Sequence, residues 1–242
     1  MDTTSSPVDK RAFRIRRMFG NIACSYDFLN HLLSLNIDRR WRRRTTRLVP
    51  PQGEAPILDL CTGTGDLALA YDRAARHRVP IYAADFCHEM LVLAGKKTQQ
   101  RGAGARIRYL EADAQLLPFP DHFFQITTVA FGLRNVTDTD RGIAEMIRVT
   151  KPGGRVAILE FSRPRHWLLG RCYRFYFRQL LPLIGQIVSR SKDNAYGYLP
   201  ASVLEFPDGE ALADRLRGHG LRAVHWQPFT FGIATLYVGT KA

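Results

Sequence analysis

The sequence predicts an α/β domain on a mostly parallel sheet with helices on both faces, a helical arm before it and a helical lid inserted late in the chain. Three observations carry that reading. Short β-rich runs (ILDL, VPIYAAD, RIRYLEAD, QITTVAFG and RVAILEF) alternate with segments of helix length, the texture of a parallel sheet covered on both sides. Three of the runs keep an acid at or just past their ends: Asp59 within the first, Asp85 ending the second and Asp113 ending the third. After Glu160 the alternation stops, and residues 161–205 are aromatic, basic and broken by prolines. At 242 residues and 45% apolar content the chain can fill one such core.

The elements follow in order. Residues 1–10 are polar and read as disordered. From Arg11 to Leu48, Ile15, Phe19, Ile22, Phe28, Leu29, Leu32 and Leu33 recur at helical spacing, which predicts two or three short helices. Pro50, Pro51 and Gly53 close this arm, so the boundaries are 1–48 for the arm and 49–242 for the main domain, with the lid at about 161–205. The last segment, from FPDGEALADRLRGHG to WQPFTFGIATLYVGT, reads as a helix and two strands around a tight turn near Gly232, an antiparallel edge hairpin. In a doubly wound sheet, ligands bind outside the carboxyl ends of the strands, so Asp59, Asp85 and Asp113 should line one crevice.

Charge is unevenly spread. Residues 1–50 hold 11 Lys and Arg against 4 acids and residues 161–200 hold 7 against 1, whereas residues 51–160 balance at 13 each. The excess of +13 therefore lies on segments 11–47 and 163–192, as expected for contact with something anionic, either nucleic acid or a membrane surface. The most apolar stretch, FYFRQLLPLIGQIV, is interrupted by Arg178, Pro182 and Gly185, so any membrane contact is expected to be peripheral. Four widely spaced cysteines and no secretory leader point to the cytoplasm. Seven histidines show no ligand spacing, and no metal is expected.

Gly63, Gly65 and Ala68 satisfy the glycine fingerprint of a dinucleotide site, with Asp85 twenty residues past Gly65. The flanking charges have the wrong sign for it. Asp59 precedes the turn and Asp66 follows it, and like unit charges 4 Å apart repel by roughly 4 kcal/mol at an effective dielectric of 20. A cation reverses that sign. S-adenosylmethionine carries an ammonium, a sulfonium and a ribose diol, and no phosphate. Asp85 suits the ribose, and Asp113 with the backbone of Ala114 suits the adenine. Each acid alone could equally be a helix cap; three at successive strand ends argue for a site.

ILDLCTGTGDLA, YAADFCHEML, EADAQLLPFPD and RVTKPGGRVAILEFSRP are similar to the successive motifs of class I S-adenosylmethionine-dependent methyltransferases, whose Rossmann-like sheet has seven strands. More narrowly, MFGNIACSYDFLNHLLSLNIDRRW, FGLRNVTD, LEFSRP, LLPLIGQIVS, AYGYLPASVLEFP and FGIATLYVGTK resemble the ubiquinone/menaquinone biosynthesis C-methyltransferases, from about Phe19 to Lys241. The resemblance implies C-methylation of a prenylated quinol, demethylmenaquinol or the benzoquinol precursor of ubiquinone. It carries cofactor positions onto Thr64, Asp85, Asp113 and Ala114. A position often serine or glycine in the family is Ala130 here, and Asp38 stands where the family commonly has histidine.

Methylation at carbon needs a ring made nucleophilic by an ionised hydroxyl. A phenol near pKa 10 costs about 4 kcal/mol to ionise at pH 7 without help. Arg134 and Asn135, directly after the fourth strand, are expected to supply it, Arg134 as a fixed charge rather than a base. Tyr26 and Asp27, the arm's polar pair, are expected to reach the quinol or Arg134; Tyr196 and Tyr198 are weaker candidates. The lid suits an isoprenoid tail, or else a capping subdomain or homodimer interface. AFGLRN after the fourth strand lacks the motifs of nucleic-acid methyltransferases, so no nucleic acid partner is expected.

Overall fold

The computed structural model describes residues 11–164 and 195–242. The arm forms two helices, as expected, α1 (Ala12–Leu33) and α2 (Ile37–Leu48), although the first, at 22 residues, is longer than the short helices predicted. The main domain runs β1 (Ile57–Leu60), α3 (Asp66–Ala74), β2 (Ile81–Asp85), α4 (His88–Gln100), β3 (Ile107–Glu111), β4 (Phe124–Ala130), α5 (Thr139–Val149) and β5 (Thr150–Phe161). It closes with α6 (Ala195–Glu205), α7 (Glu210–Gly218), β6 (Leu221–Phe229), a tight turn at Thr230–Gly232 and β7 (Ala234–Lys241). Most of the expected lid, and the expectation for residues 1–10, lie outside the described residues.

The seven strands form one sheet in the order β3-β2-β1-β4-β5-β7-β6. Pairing is parallel from β3 through β5 and antiparallel on both sides of β7, which is the predicted edge hairpin. Both faces of the central strands are buried, so each run is largely apolar, with Asp59 in β1 and Gln125, Thr127 and Thr128 in β4 as buried exceptions, and successive residues feed opposite cores. Ile57, Ile81, Ile126, Ala157 and Leu159 pack beneath Trp41 of α2 and Leu67 to Tyr71 of α3. Leu58, Leu60, Val129, Val156 and Ile158 pack against Ile143 and Met146 of α5 and Leu212 and Leu216 of α7.

Strand order reverses between β1 and β4, whose neighbours β2 and β5 run outward from them, and a crevice opens at that switch point. The arm roofs it. Ile15, Met18 and Ile22 on one face of α1 pack on Val203 of α6, with Phe19, Tyr26, Phe86, Phe161 and Tyr198 around them.

Candidate functional site

The turn after β1 is held open for a ligand by backbone that only some residues tolerate. Gly65 sits at φ +81, and a Cβ there would lie 2.6 Å from the Tyr109 hydroxyl, so the α3 N-terminus can approach this closely only as glycine. On β4's side, a Cβ on Gly132 would lie 2.3 Å from Cβ of Cys61. Cys61 and Phe131, at the ends of β1 and β4, both take positive φ (48° and 62°), the strained conformation that concentrates at binding sites.

A crevice of about 770 Å³, open to solvent, follows these strand ends and is lined by Gly63, Asp85, Asp113, Ala114, Ala130 and Asn135 with Tyr26 of the arm. Its apolar walls include Phe19, Phe86, Met90 and Phe131, which the sequence analysis did not single out. Phe19 and Tyr26, seven residues apart on α1, share one helix face, and that spacing was the available signal. Behind the turn lies a second, polar chamber of about 410 Å³, reached past Tyr26, Gly63 and Ala130 and lined also by Asp27, His31, Asp38, Arg42, Asp59 and Thr64.

Asp85 ties the turn to β2: its Oδ2 accepts the Gly63 amide at 2.8 Å and its Oδ1 the Cys87 amide at 2.9 Å. Burial nevertheless pushes it up to about 6. Each oxygen retains a further lone pair for a hydroxyl donor. Asp113, exposed at the crevice edge, accepts from the Gln115 amide at 2.9 Å and from the Gln115 side chain, so its carboxylate also shapes a turn. Asp59 is 1% exposed; Oδ2 accepts from Thr62 at 2.6 Å, while Oδ1 is buried without a hydrogen-bond partner. Burial pushes Asp59 up to about 7, against the opposing pull of the Thr62 hydroxyl, Arg42 and the Ala68 amide, whose contact falls short of a well-formed hydrogen bond. An orphaned, buried acceptor of that kind fits a cationic ligand with N–H donors, the ammonium end of S-adenosylmethionine.

Asp66 is a different matter. It pairs with Lys97 at 3.0 Å, so the two acids flanking the turn are not equally available and Asp59 carries the attraction. Lys97 also donates to Thr64 Oγ1 at 3.0 Å and pairs with Asp27, whose other oxygen accepts from Thr64. Asp27 thus clamps the arm to the turn and does not orient Arg134, as the sequence suggested it could.

Arg134 does not line the crevice. It is 5% exposed, pairs with Glu160 of β5 at 2.7 Å, donates to the Phe131 carbonyl and to Ser202 Oγ, and lies over the Phe161 ring. The parallel register Ala130↔Leu159 brings this pair together. Asn135 does face the crevice, and its Oδ1 accepts from the Tyr198 hydroxyl at 3.2 Å. The Tyr26 hydroxyl is raised by burial, opposed by the positive fields of Arg134 and Arg42. Tyr196 lies among the residues whose side chains are not described.

Residues 8–241 match the profile of the ubiE/COQ5 methyltransferase family. The chain is 46% identical over 228 residues to the ubiquinone/menaquinone biosynthesis C-methyltransferase UbiE of Geobacter sulfurreducens, covering 94% of this chain and 88% of that one. It is 44% identical to the demethylmenaquinone methyltransferase of Thermus thermophilus, covering 93% of this chain and 100% of the relative. In architecture it resembles an S-adenosylmethionine-dependent methyltransferase from Thermotoga maritima, with a TM-score of 0.67 at 18% identity, covering 93% of this chain and 99% of that one. At that identity the likeness speaks for the fold alone.

Proposed function

The chain belongs to the ubiE/COQ5 methyltransferase family, and from that premise we propose that it moves a methyl group from S-adenosylmethionine to a ring carbon of a prenylated quinol: demethylmenaquinol, the benzoquinol precursor of ubiquinone, or both. The observation that carries the cofactor half is the buried Oδ1 of Asp59 on the polar chamber behind a glycine turn, with Asp85 and Asp113 on the adjoining crevice rather than all three acids on one, as the sequence had suggested. The quinol half rests on relatives at 44–46% identity over nearly the whole chain.

When bound, S-adenosylmethionine supplies an electrophilic methyl group. The chain's own residues do the rest. Asp59, Gly63, Thr64 and Gly65 shape the methionine end, Asp85 the ribose, and Asp113, Ala114 and Ala130 the adenine and the floor of the crevice. Asn135 and Tyr26 both line the crevice and would orient the quinol hydroxyl there, aligning the ring carbon for transfer. Arg134, held on Glu160, is a fixed positive charge behind Tyr26 that favours phenolate character without touching the ring. Asp27 holds the arm down over the turn through Lys97 and Thr64.

Peripheral contact with an anionic membrane is part of the same reading. Arg39, Arg40, Arg43 and Arg47 stand exposed on the outer side of α2. The other basic segment, 163–192, falls almost entirely outside the described residues, and no helix among the described residues is long and apolar enough to cross a membrane. The site of action is then the cytoplasmic leaflet; a homodimer through arm or lid is read out by sedimentation.

The test incubates the protein with methyl-labelled S-adenosylmethionine and a chemically reduced lipid extract containing demethylated quinols, and separately with bulk RNA. Label in the organic phase that depends on prior reduction is expected. Label in RNA alone, or transfer indifferent to reduction, would overturn the proposal.

A further inference from the structure

α2 presents Trp41 and Thr45 to the core and most of its arginines to solvent, but Arg42 is turned inward to the wall of the polar chamber. It is held there by Asp38 one turn earlier, Nη1 to Oδ2 at 2.5 Å. Asp38 is itself 4% exposed and fixed by His31 Nδ1 at 2.9 Å and by the Ser34 hydroxyl at 2.7 Å. The guanidinium lies 5.5 Å from the centre of the Phe131 ring, at the end of β4.

The chamber has a problem of sign. Asp27, Asp38, Asp59 and Asp66 all line it, which suits an ammonium but repels the α-carboxylate beside it by several kcal/mol at contact distances. A cation must offset that repulsion, and the candidates can be counted. Lys97 has three N–H donors and three acceptors already: Asp27, Thr64 and Asp66. His31 is engaged with Asp38 and stands 3.6 Å from Asp66. Arg42 has five donors, of which Asp38 takes one. We propose that Arg42 is the ligand of the cofactor's α-carboxylate, aimed at it by Asp38 as a positioning residue. The fork of the guanidinium matches a carboxylate in two parallel hydrogen bonds, which a lysine cannot reproduce. Asp38 also couples Arg42 to the imidazole of His31.

The assignment rests on the S-adenosylmethionine reading above, and the experiment separates the two. Titration calorimetry measures binding of S-adenosylmethionine and of its decarboxylated analogue, which keeps the ammonium, to the native protein, Arg42→Met, Arg42→Lys and Asp38→Asn. The native protein is expected to prefer the carboxylated ligand by roughly 10- to 100-fold. Arg42→Met should lose that preference and bind the analogue as the native protein does, with Arg42→Lys and Asp38→Asn in between. Equal loss for both ligands, or an undiminished preference in Arg42→Met, would sink the assignment. Should Arg42→Met fail to fold, Arg42→Lys and the native protein's preference still decide: no preference, or a full one in Arg42→Lys, overturns it. If the native protein binds neither ligand, the cofactor reading itself has failed, and this assignment with it.

Discussion

Asp59 is stable only as a compromise. Buried acids raised to about 7 (Asp59) and about 6 (Asp85) hold protons that the unfolded chain has already released above about pH 4. The folded, ligand-free state is therefore penalised progressively as pH rises through that window, because the unfolded state binds fewer protons there. A cationic ligand needs the same carboxylates ionised. Ligand-free thermal stability should then fall, from these two groups, between about pH 4 and about pH 7, while S-adenosylmethionine affinity rises as pH passes through the folded values of about 6 and 7; parallel slopes would contradict the assignment. Asp59→Asn should raise the melting temperature of the ligand-free protein at pH 8 by a few degrees, about 1 kcal/mol being worth 2–4 °C at this size, and lose cofactor binding. A variant that binds normally would remove Asp59 from the site. Legibility at this scale was partial. The three acids could be read because each lies within two residues of the carboxyl end of a strand, and strand ends meet wherever the sheet puts them. Lys97 and Arg42 could not, since they reach the turn from α4 and α2, helices whose placement depends on packing and not on spacing along the chain.

Among the elements, the short loop after β4 is the one whose stability is most concentrated. Arg134 ties it to β5 through Glu160, and Glu160 Oε1 also accepts the Phe161 amide at 2.9 Å. Removing one partner of a buried pair leaves the other uncompensated, at a cost of about 3–5 kcal/mol, whereas replacing both can be nearly neutral. Arg134→Met should therefore unfold at markedly lower denaturant, and Arg134→Met/Glu160→Gln should recover much of that loss. Cofactor binding by the double variant should persist while methyl transfer falls at least tenfold; unchanged transfer would reduce Arg134 to a structural role. The sequence indicated FGLRN as a functional loop but not which way its arginine faces, because the answer lies in a carboxylate 26 residues away that becomes a neighbour through β4–β5 register.

For the whole molecule, the alternation of runs was enough to specify the sheet, since a parallel strand buried on both faces needs a crossover helix each time. Charge is the other molecular property that was legible. Five exposed arginines on α2 (Arg39, Arg40, Arg43, Arg44 and Arg47), each worth about 1 kcal/mol near an anionic leaflet, should give vesicle binding that is strong at low salt and abolished by 0.5 M salt, where the Debye length is about 4 Å. Cosedimentation with anionic and with zwitterionic vesicles measures this; Arg39→Gln/Arg40→Gln/Arg43→Gln/Arg47→Gln should lose most of it, and binding indifferent to salt or to those changes would rule out α2 as the contact.

The position of β7 has a consequence for how the molecule is made. β6 is translated before β7, yet β7 is the strand that joins β6 to β5, with antiparallel ladders on both sides. A nascent chain lacking Ala234–Lys241 holds the apolar β5 with an open edge and β6 with no partner. Closure of this end of the sheet therefore waits on the final strand to be synthesised, and incomplete chains present the surfaces through which proteins aggregate and which chaperones bind. The cofactor crevice, built from β1 to β4, lies on the other side of β5 and can take shape before that closure.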